Sequence, residues 1–195
     1  ELLEGQLKEL SQHKPVQYVI GNTFFYGLNF WVNPAVLIPR PETEELVQEL
    51  IDFLKPNPQK KILEIGTGSG CIAVSIKKNI PDCDITAIDI SHNALDIAKQ
   101  NASKHQTDIH FECIDFLNRD LAENLPSFDI IISNPPYIPL NEMNDIENNV
   151  KFWGRVYSEI DLNEAFLHDK NDLSKVYAVV TLPLNKSLRS DFMEK

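Results

Sequence analysis

Ser133-Asn134-Pro135-Pro136-Tyr137 brings together residue types suited to holding a planar NH2 group. Such a group has two N–H donors, and its lone pair is delocalised into the adjoining π system. The side-chain oxygen of Asn134 and the backbone carbonyl of Pro135 offer two acceptors for those hydrogens. Holding both orients the nitrogen and raises its electron density as a new N–C bond forms. Tyr137 adds a flat face against a planar amide or base. No general base has to act first, because the proton leaves once the nitrogen is cationic. Rate would come from orientation at roughly 3–3.5 Å separation and from a preorganised polar site. The two prolines fix φ and remove donors, so the segment is stiff and its carbonyls are unpaired by any following helix. Seen alone, the run also reads as a rigid turn capped by asparagine. Its setting in the chain favours chemistry.

A second constellation stands upstream, at Glu64-Ile65-Gly66-Thr67-Gly68-Ser69-Gly70. Glycines let a backbone turn tightly and approach a ligand where a Cβ would clash. Asp89 follows 23 residues beyond Gly66, an offset at which a carboxylate accepts both hydroxyl hydrogen bonds of a ribose. The plainer reading of Asp89 is a helix N-terminal charge beside Ser91. The loop reads G-x-G-x-G, with its third glycine one place early for the dinucleotide fingerprint, and it lacks a Walker lysine. A pyrophosphate cradle is therefore disfavoured. Asp115 and Phe116 are placed to meet a nucleobase by hydrogen bonding and ring contact, although Phe116 reads equally well as core.

These residues need strands to carry them. Apolar runs at 61–65, 84–90, 109–114 and 128–133 read as strands, with helices near 71–79 and 92–104, the second capped by Ser91. Strands alternating with amphipathic helices predict an α/β fold with a doubly wound, mostly parallel sheet and right-handed crossovers. Ligands on such sheets bind beyond the carboxyl ends of the strands, where all of the candidates above lie. Ahead of the sheet, Leu46, Val47, Leu50, Ile51 and Leu54 mark a helix that begins after Pro41 with acids in its first turn. Residues 16–37 alternate like a short antiparallel hairpin around the turn-like Asn22 and Gly27. Leu2, Leu3, Leu7 and Leu10 share one helical face. The expected organisation is 1–14 as the end of a truncated helical domain, 15–40 as a β-hairpin linker, and 41–195 as the catalytic domain. Glu1 in place of Met makes the start look like a cut within a longer polypeptide.

Bulk composition narrows the function classes. The chain has 195 residues and a formal net charge of −11, which disfavours a free nucleic-acid binder needing a basic face. No apolar run reaches membrane-span length. Cys71, Cys83 and Cys113 have no CxxC spacing and read as buried structural thiols of a cytoplasmic protein. Cys71 stands near a helix start, where a thiol pKa can fall. The five histidines lack metal-binding spacing, and no metal is expected.

The glycine loop resembles the first motif of class I methyltransferases, which wraps the methionine part of S-adenosyl-L-methionine. From about Leu10 to Val150 the chain is similar to the release-factor glutamine methyltransferases. The likeness is carried by Pro15-Val16-Gln17-Tyr18, by Leu37-Ile38-Pro39-Arg40-Pro41-Glu42-Thr43-Glu44, by the glycine loop and Asp89, and by Asn-Pro-Pro-Tyr. That resemblance implies a cofactor site of Gly66, Thr67, Gly68, Ser69, Gly70, Asp89, Phe116 and Asn134, with Asp115 beside it and Thr43 near the methionine end. It implies that Asn134, Pro135, Pro136 and Tyr137 hold a substrate glutamine in the Gly-Gly-Gln loop of bacterial peptide-chain release factors. Arg40 and Glu42 read more plainly as helix entry and ion pairing. The chain departs from the family where Asn148-Asn149-Val150 is followed almost at once by Gly154 to Ile160, which looks like the fifth strand. Ser187 to Lys195 resembles the start of a late strand. Two alternatives stand beside this reading: an N6-adenine methyltransferase, disfavoured by the acidic charge, and a noncatalytic scaffold, suggested by the shortened tail.

Overall fold

The computed structural model describes residues 2–118, 125–134 and 177–180. In chain order the elements are α1 (Leu2–Ser11), α2 (Val16–Ile20), β1 (Asn22–Phe25), β2 (Leu28–Trp31), α3 (Glu42–Leu54), β3 (Lys61–Ile65), α4 (Cys71–Asn79), β4 (Asp84–Asp89), α5 (His92–His105), β5 (His110–Cys113), β6 (Ile130–Ser133) and β7 (Tyr177–Val180). The sheet order is β5-β4-β3-β6-β7, and every neighbouring pair is parallel. From β3 the chain first builds toward β5, then crosses back to place β6 on the other side. The topological switch point therefore lies between β3 and β6, where crevices form in such sheets. The register sets Ile65 opposite both Ile88 and Ser133, so the glycine loop and Asn134 leave adjacent strands at one edge.

Ile62, Leu63 and Glu64 of β3 are all buried, as expected for the central strand of a parallel sheet. Helix α3 presents Leu46, Val47, Leu50, Ile51 and Leu54 to the same core that takes Ile62, Ile85, Ile130 and Ile132. Each such side chain stabilises the fold by roughly 1.5–3 kcal/mol, before chain entropy is set against it. Acids Glu42, Glu44 and Glu45 in the first turn of α3 complement the positive end of its dipole. Helix α5 starts as its cap predicts, with Ser91 Oγ accepting the Ala94 N–H at 3.3 Å.

The region before the sheet differs from the expected hairpin in its first third. Val16–Ile20 is a helical turn rather than a strand. Pro15 enters it with φ −52°, and Gly21 ends it in the left-handed conformation at φ 75°. Between those stops the Tyr18 hydroxyl donates to the Val36 carbonyl at 2.7 Å, fixing the turn to the segment that follows the hairpin. The hairpin itself reverses at Tyr26-Gly27, with φ of 49° and 72°, the positive pair that matches the twist of short two-residue connections. Gly27 is thus a turn residue, whereas Asn22 pairs with Trp31 inside the ladder. Phe25 and Phe30 enter the main core. Leu3, Leu7 and Leu10 of α1 are exposed. The strand beside β6 is Tyr177–Val180. Residues 154–160 and 187–195, where a fifth and a late strand were expected, lie outside the described residues.

Candidate functional site

The glycine loop is shaped by bonds to its own sheet. The N–H groups of Gly66 and Thr67 both donate to the Ile88 carbonyl, at 2.9 and 3.0 Å, and Gly70 N–H donates to the Thr67 carbonyl at 2.9 Å. Gly66, Gly68 and Gly70 have φ of 73°, 56° and 77°, a region other residues enter only at a cost. Their tasks differ. A Cβ on Gly66 or Gly68 would point into open space, while one on Gly70 would meet Ala98 Cβ at 3.1 Å. Gly70 lets α5 pack closely; Gly66 and Gly68 leave an uncluttered surface beyond the carboxyl end of β3.

Asp89 closes that surface on one side. Its Oδ2 accepts the Gly68 N–H and its Oδ1 the Ser91 N–H, both at 2.9 Å. Both sequence readings therefore describe part of its role, since it braces the loop and the entry to α5 together. A carboxylate has about four acceptor directions, so a pair remains for hydroxyl donors. Asp115 and Phe116 lie in the turn after β5. The Ile114 N–H donates to the Asp89 carbonyl at 3.1 Å, which draws that turn toward the same edge. Asp115 Oδ1 accepts the Leu117 N–H at 3.0 Å, and Phe116 is half-buried.

Beneath the loop lies Glu64, a residue to which the sequence patterns assigned no role. It is 1% exposed, and its carboxylate oxygen accepts the Thr67 hydroxyl at 2.7 Å. Burial pushes its pKa up to about 8, against the pull of the Thr67 bond. A single acid inside the apolar run KILEI was the signal available. Cys71, the first residue of α4, shows the opposite of helix-start activation: burial, with Glu64 nearby, drives its thiol up to about 12. Cys83 is buried too, but Cys113 is exposed, contrary to the expectation of three buried thiols.

On the other flank of the switch point, Ser133 Oγ donates to the Ile65 carbonyl at 3.1 Å, tying the end of β6 to the start of the glycine loop. Asn134 Nδ2 donates to Thr43 Oγ1 at 3.0 Å. Thr43 is buried at the first turn of α3 and meets the asparagine of the expected reaction site. Its neighbour Glu44 accepts the Tyr26 N–H at 2.9 Å, so one helical turn braces both the hairpin bend and Asn134. Arg40 and Glu42 are exposed, and the Arg40 carbonyl opens the helix by accepting the Thr43 N–H at 3.0 Å. Pro135, Pro136 and Tyr137 lie outside the described residues. Among the described residues no group of three His, Cys, Asp or Glu side chains is placed to hold a metal, and no helix is long and apolar enough to cross a membrane.

A parallel sheet with a glycine loop after one strand, a carboxylate ending the next, and an asparagine across the switch point defines an α/β domain with these groups gathered at the carboxyl edge where such sheets take ligands. Residues 43–150 match the methyltransferase small domain, and the chain belongs to that family. It is 42% identical over 192 residues to the release factor glutamine methyltransferase of Flavobacterium psychrophilum, a match covering 96% of this chain and 64% of that one. The protein of the same name from Bacteroides thetaiotaomicron is 45% identical over 152 residues, covering 77% and 53% of the two chains. That from Streptococcus pneumoniae is 42% identical over 174 residues, covering 89% and 58%. The chain thus spans between about half and two-thirds of the length of these relatives.

Proposed function

We propose that the chain carries the catalytic domain of an S-adenosyl-L-methionine-dependent methyltransferase acting on the side-chain amide nitrogen of a glutamine. The acceptor in this reading is a glutamine of release factors, as the names of its relatives have it, in the Gly-Gly-Gln loop that the family resemblance implies. The observation that carries the proposal is the pairing of two surfaces across the β3–β6 switch point. One is the open, glycine-bared loop braced by Asp89; the other is Asn134 held by Thr43.

The residues present fit the cofactor. Open space over Gly66 and Gly68 admits a chain lying against the backbone, and Asp89 retains acceptor capacity for a ribose diol. Asp115 and Phe116 would border the base. When bound, S-adenosyl-L-methionine supplies an electrophilic methyl group. The chain's own residues do the rest by orientation. Thr43 accepts from the NH2 edge of Asn134, which sets the amide plane and turns Oδ1 to its opposite edge. In this reading Oδ1 accepts one hydrogen of the substrate NH2, the Pro135 carbonyl accepts the other, and Pro136 and Tyr137 flank the planar amide. The proton leaves after the N–C bond has formed, so no buried base is required. A net charge of −11 suits a protein acceptor better than naked nucleic acid.

The test offers the full-length enzyme a purified release factor and unmethylated DNA, with isotopically labelled cofactor. Mass spectrometry should find label on the glutamine side chain of the release factor. Label on DNA instead would select the adenine reading, and cofactor binding with no transfer to either would select a scaffold.

A further inference from the structure

We propose that Asn101 is a positioning residue of the cofactor site, clamping the glycine loop to the β1–β2 hairpin. Asn101 sits on α5 with no exposed surface. Its Oδ1 accepts the Trp31 N–H at 2.8 Å, and its Nδ2 donates to the Trp31 carbonyl at 3.0 Å and to the Ser69 carbonyl at 2.9 Å. The amide thus reads both backbone groups of one strand residue, as a neighbouring strand would, and spends its second N–H on the loop. Only a carboxamide has an acceptor and two donors in that planar arrangement.

The contact is specific to the link. Without Asn101 the hairpin keeps other ties to α5, since Lys104 Nζ donates to Asn29 Oδ1 and His105 Nε2 bonds to the Asn29 carbonyl. The loop keeps its bonds to Ile88 and Asp89. What disappears is the partner of the buried Ser69 carbonyl, directly before Gly70. A buried carbonyl left without a partner drives the backbone to rearrange. Ser69 lies between Gly68, which leaves open space for a ligand, and Gly70, which abuts Ala98. Tilting that peptide changes the surface the cofactor meets. The hairpin therefore belongs to the cofactor site although none of its residues need touch the ligand. Any event that reseats Trp31 is transmitted to the loop.

The identity of the ligand rests on the methyltransferase reading; the clamp does not. The experiment compares the full chain with Asn101→Ser, using residue-resolved amide exchange by NMR, S-adenosyl-L-homocysteine titration and steady-state kinetics. Without ligand, exchange at Thr67, Gly68 and Trp31 should quicken at least about fivefold in the variant. Cofactor affinity should fall about tenfold, with kcat at saturating cofactor within about threefold. A folded variant with unchanged loop exchange and unchanged cofactor affinity overturns the proposal. Should the variant fail to fold, the unaltered chain decides: saturating S-adenosyl-L-homocysteine should slow exchange at Trp31 together with Gly68. Protection confined to the loop overturns the clamp. A chain that does not bind S-adenosyl-L-homocysteine contradicts the methyltransferase reading, and the ligand-free exchange of the variant then decides the clamp by itself.

Discussion

The glycine loop and Asn134 face each other across one switch point, yet they are held in different ways. Among the described residues most partners that shape the loop come from the segment between β3 and α5, at Glu64, Ile88, Asp89, Ala98 and Asn101, with Ser133 of β6 added at the Ile65 carbonyl where the loop begins. Asn134 instead meets Thr43, 91 residues upstream. In the proposed reading the cofactor half is thus assembled largely within one strand–helix–strand–helix run, with the hairpin joined to it through Asn101, and the reaction half only when α3 and β6 come together. Loop variants should therefore act on cofactor affinity, and variants of Asn134 and Thr43 on turnover.

The largest effect should come from Asn134→Ala. Turnover should fall about 100-fold or more in a folded protein, because one amide hydrogen loses its acceptor and the nitrogen its orientation. Steady-state kinetics showing near-normal turnover would remove the reaction half from the comparison. Asp89→Ala should weaken cofactor binding by about 1.5–3 kcal/mol, since it deletes the charge-assisted bond to Gly68 and, in the proposed site, those to the ribose. Calorimetry showing unchanged affinity contradicts the assignment. Thr43→Val should lower kcat about tenfold with cofactor affinity nearly intact, and Thr43→Ser should restore most of it. A loss of affinity in Thr43→Val with kcat unchanged would place Thr43 on the cofactor side instead.

The smallest effect concerns Glu64 and pH. Its folded pKa, raised to about 8 from an ordinary 4.5, means the folded chain binds more protons than the unfolded chain between those values. The stability it contributes is fully present below about pH 4.5 and is lost as pH rises through about 8. Glu64→Gln should flatten that decline, which melting temperatures measured across the interval would reveal. An equally steep decline in the variant rules out Glu64 as its source.

The same division between local and distant contacts explains what could be read in the sequence. Strands β3, β4, β5 and β6, the Ser91 cap and the Gly66–Gly70 loop are short-range patterns of polarity and glycine spacing, and each appears where its pattern puts it. Val16–Ile20 was misread because its branched and aromatic residues suit a strand, while the deciding bond runs from Tyr18 to Val36. Thr43 was drawn to the site by family resemblance alone; no spacing announces a contact with Asn134. No sequence pattern sets Asn101 apart within its helix, since its partners Trp31 and Ser69 are brought there only by the fold. Strand β7, at Tyr177–Val180, is a short apolar run of the kind that poorly marks its own place in a sheet.

The acceptor side chain offers the most direct test of the proposed glutamine-amide site. A release factor and its Gln→Asn variant in the Gly-Gly-Gln loop should be given, at equal concentration, to the full-length enzyme with labelled cofactor. Removing one methylene withdraws the nitrogen from its in-line position, so transfer to the Asn variant should fall by about 100-fold or more. Equal labelling of the two proteins would contradict the account.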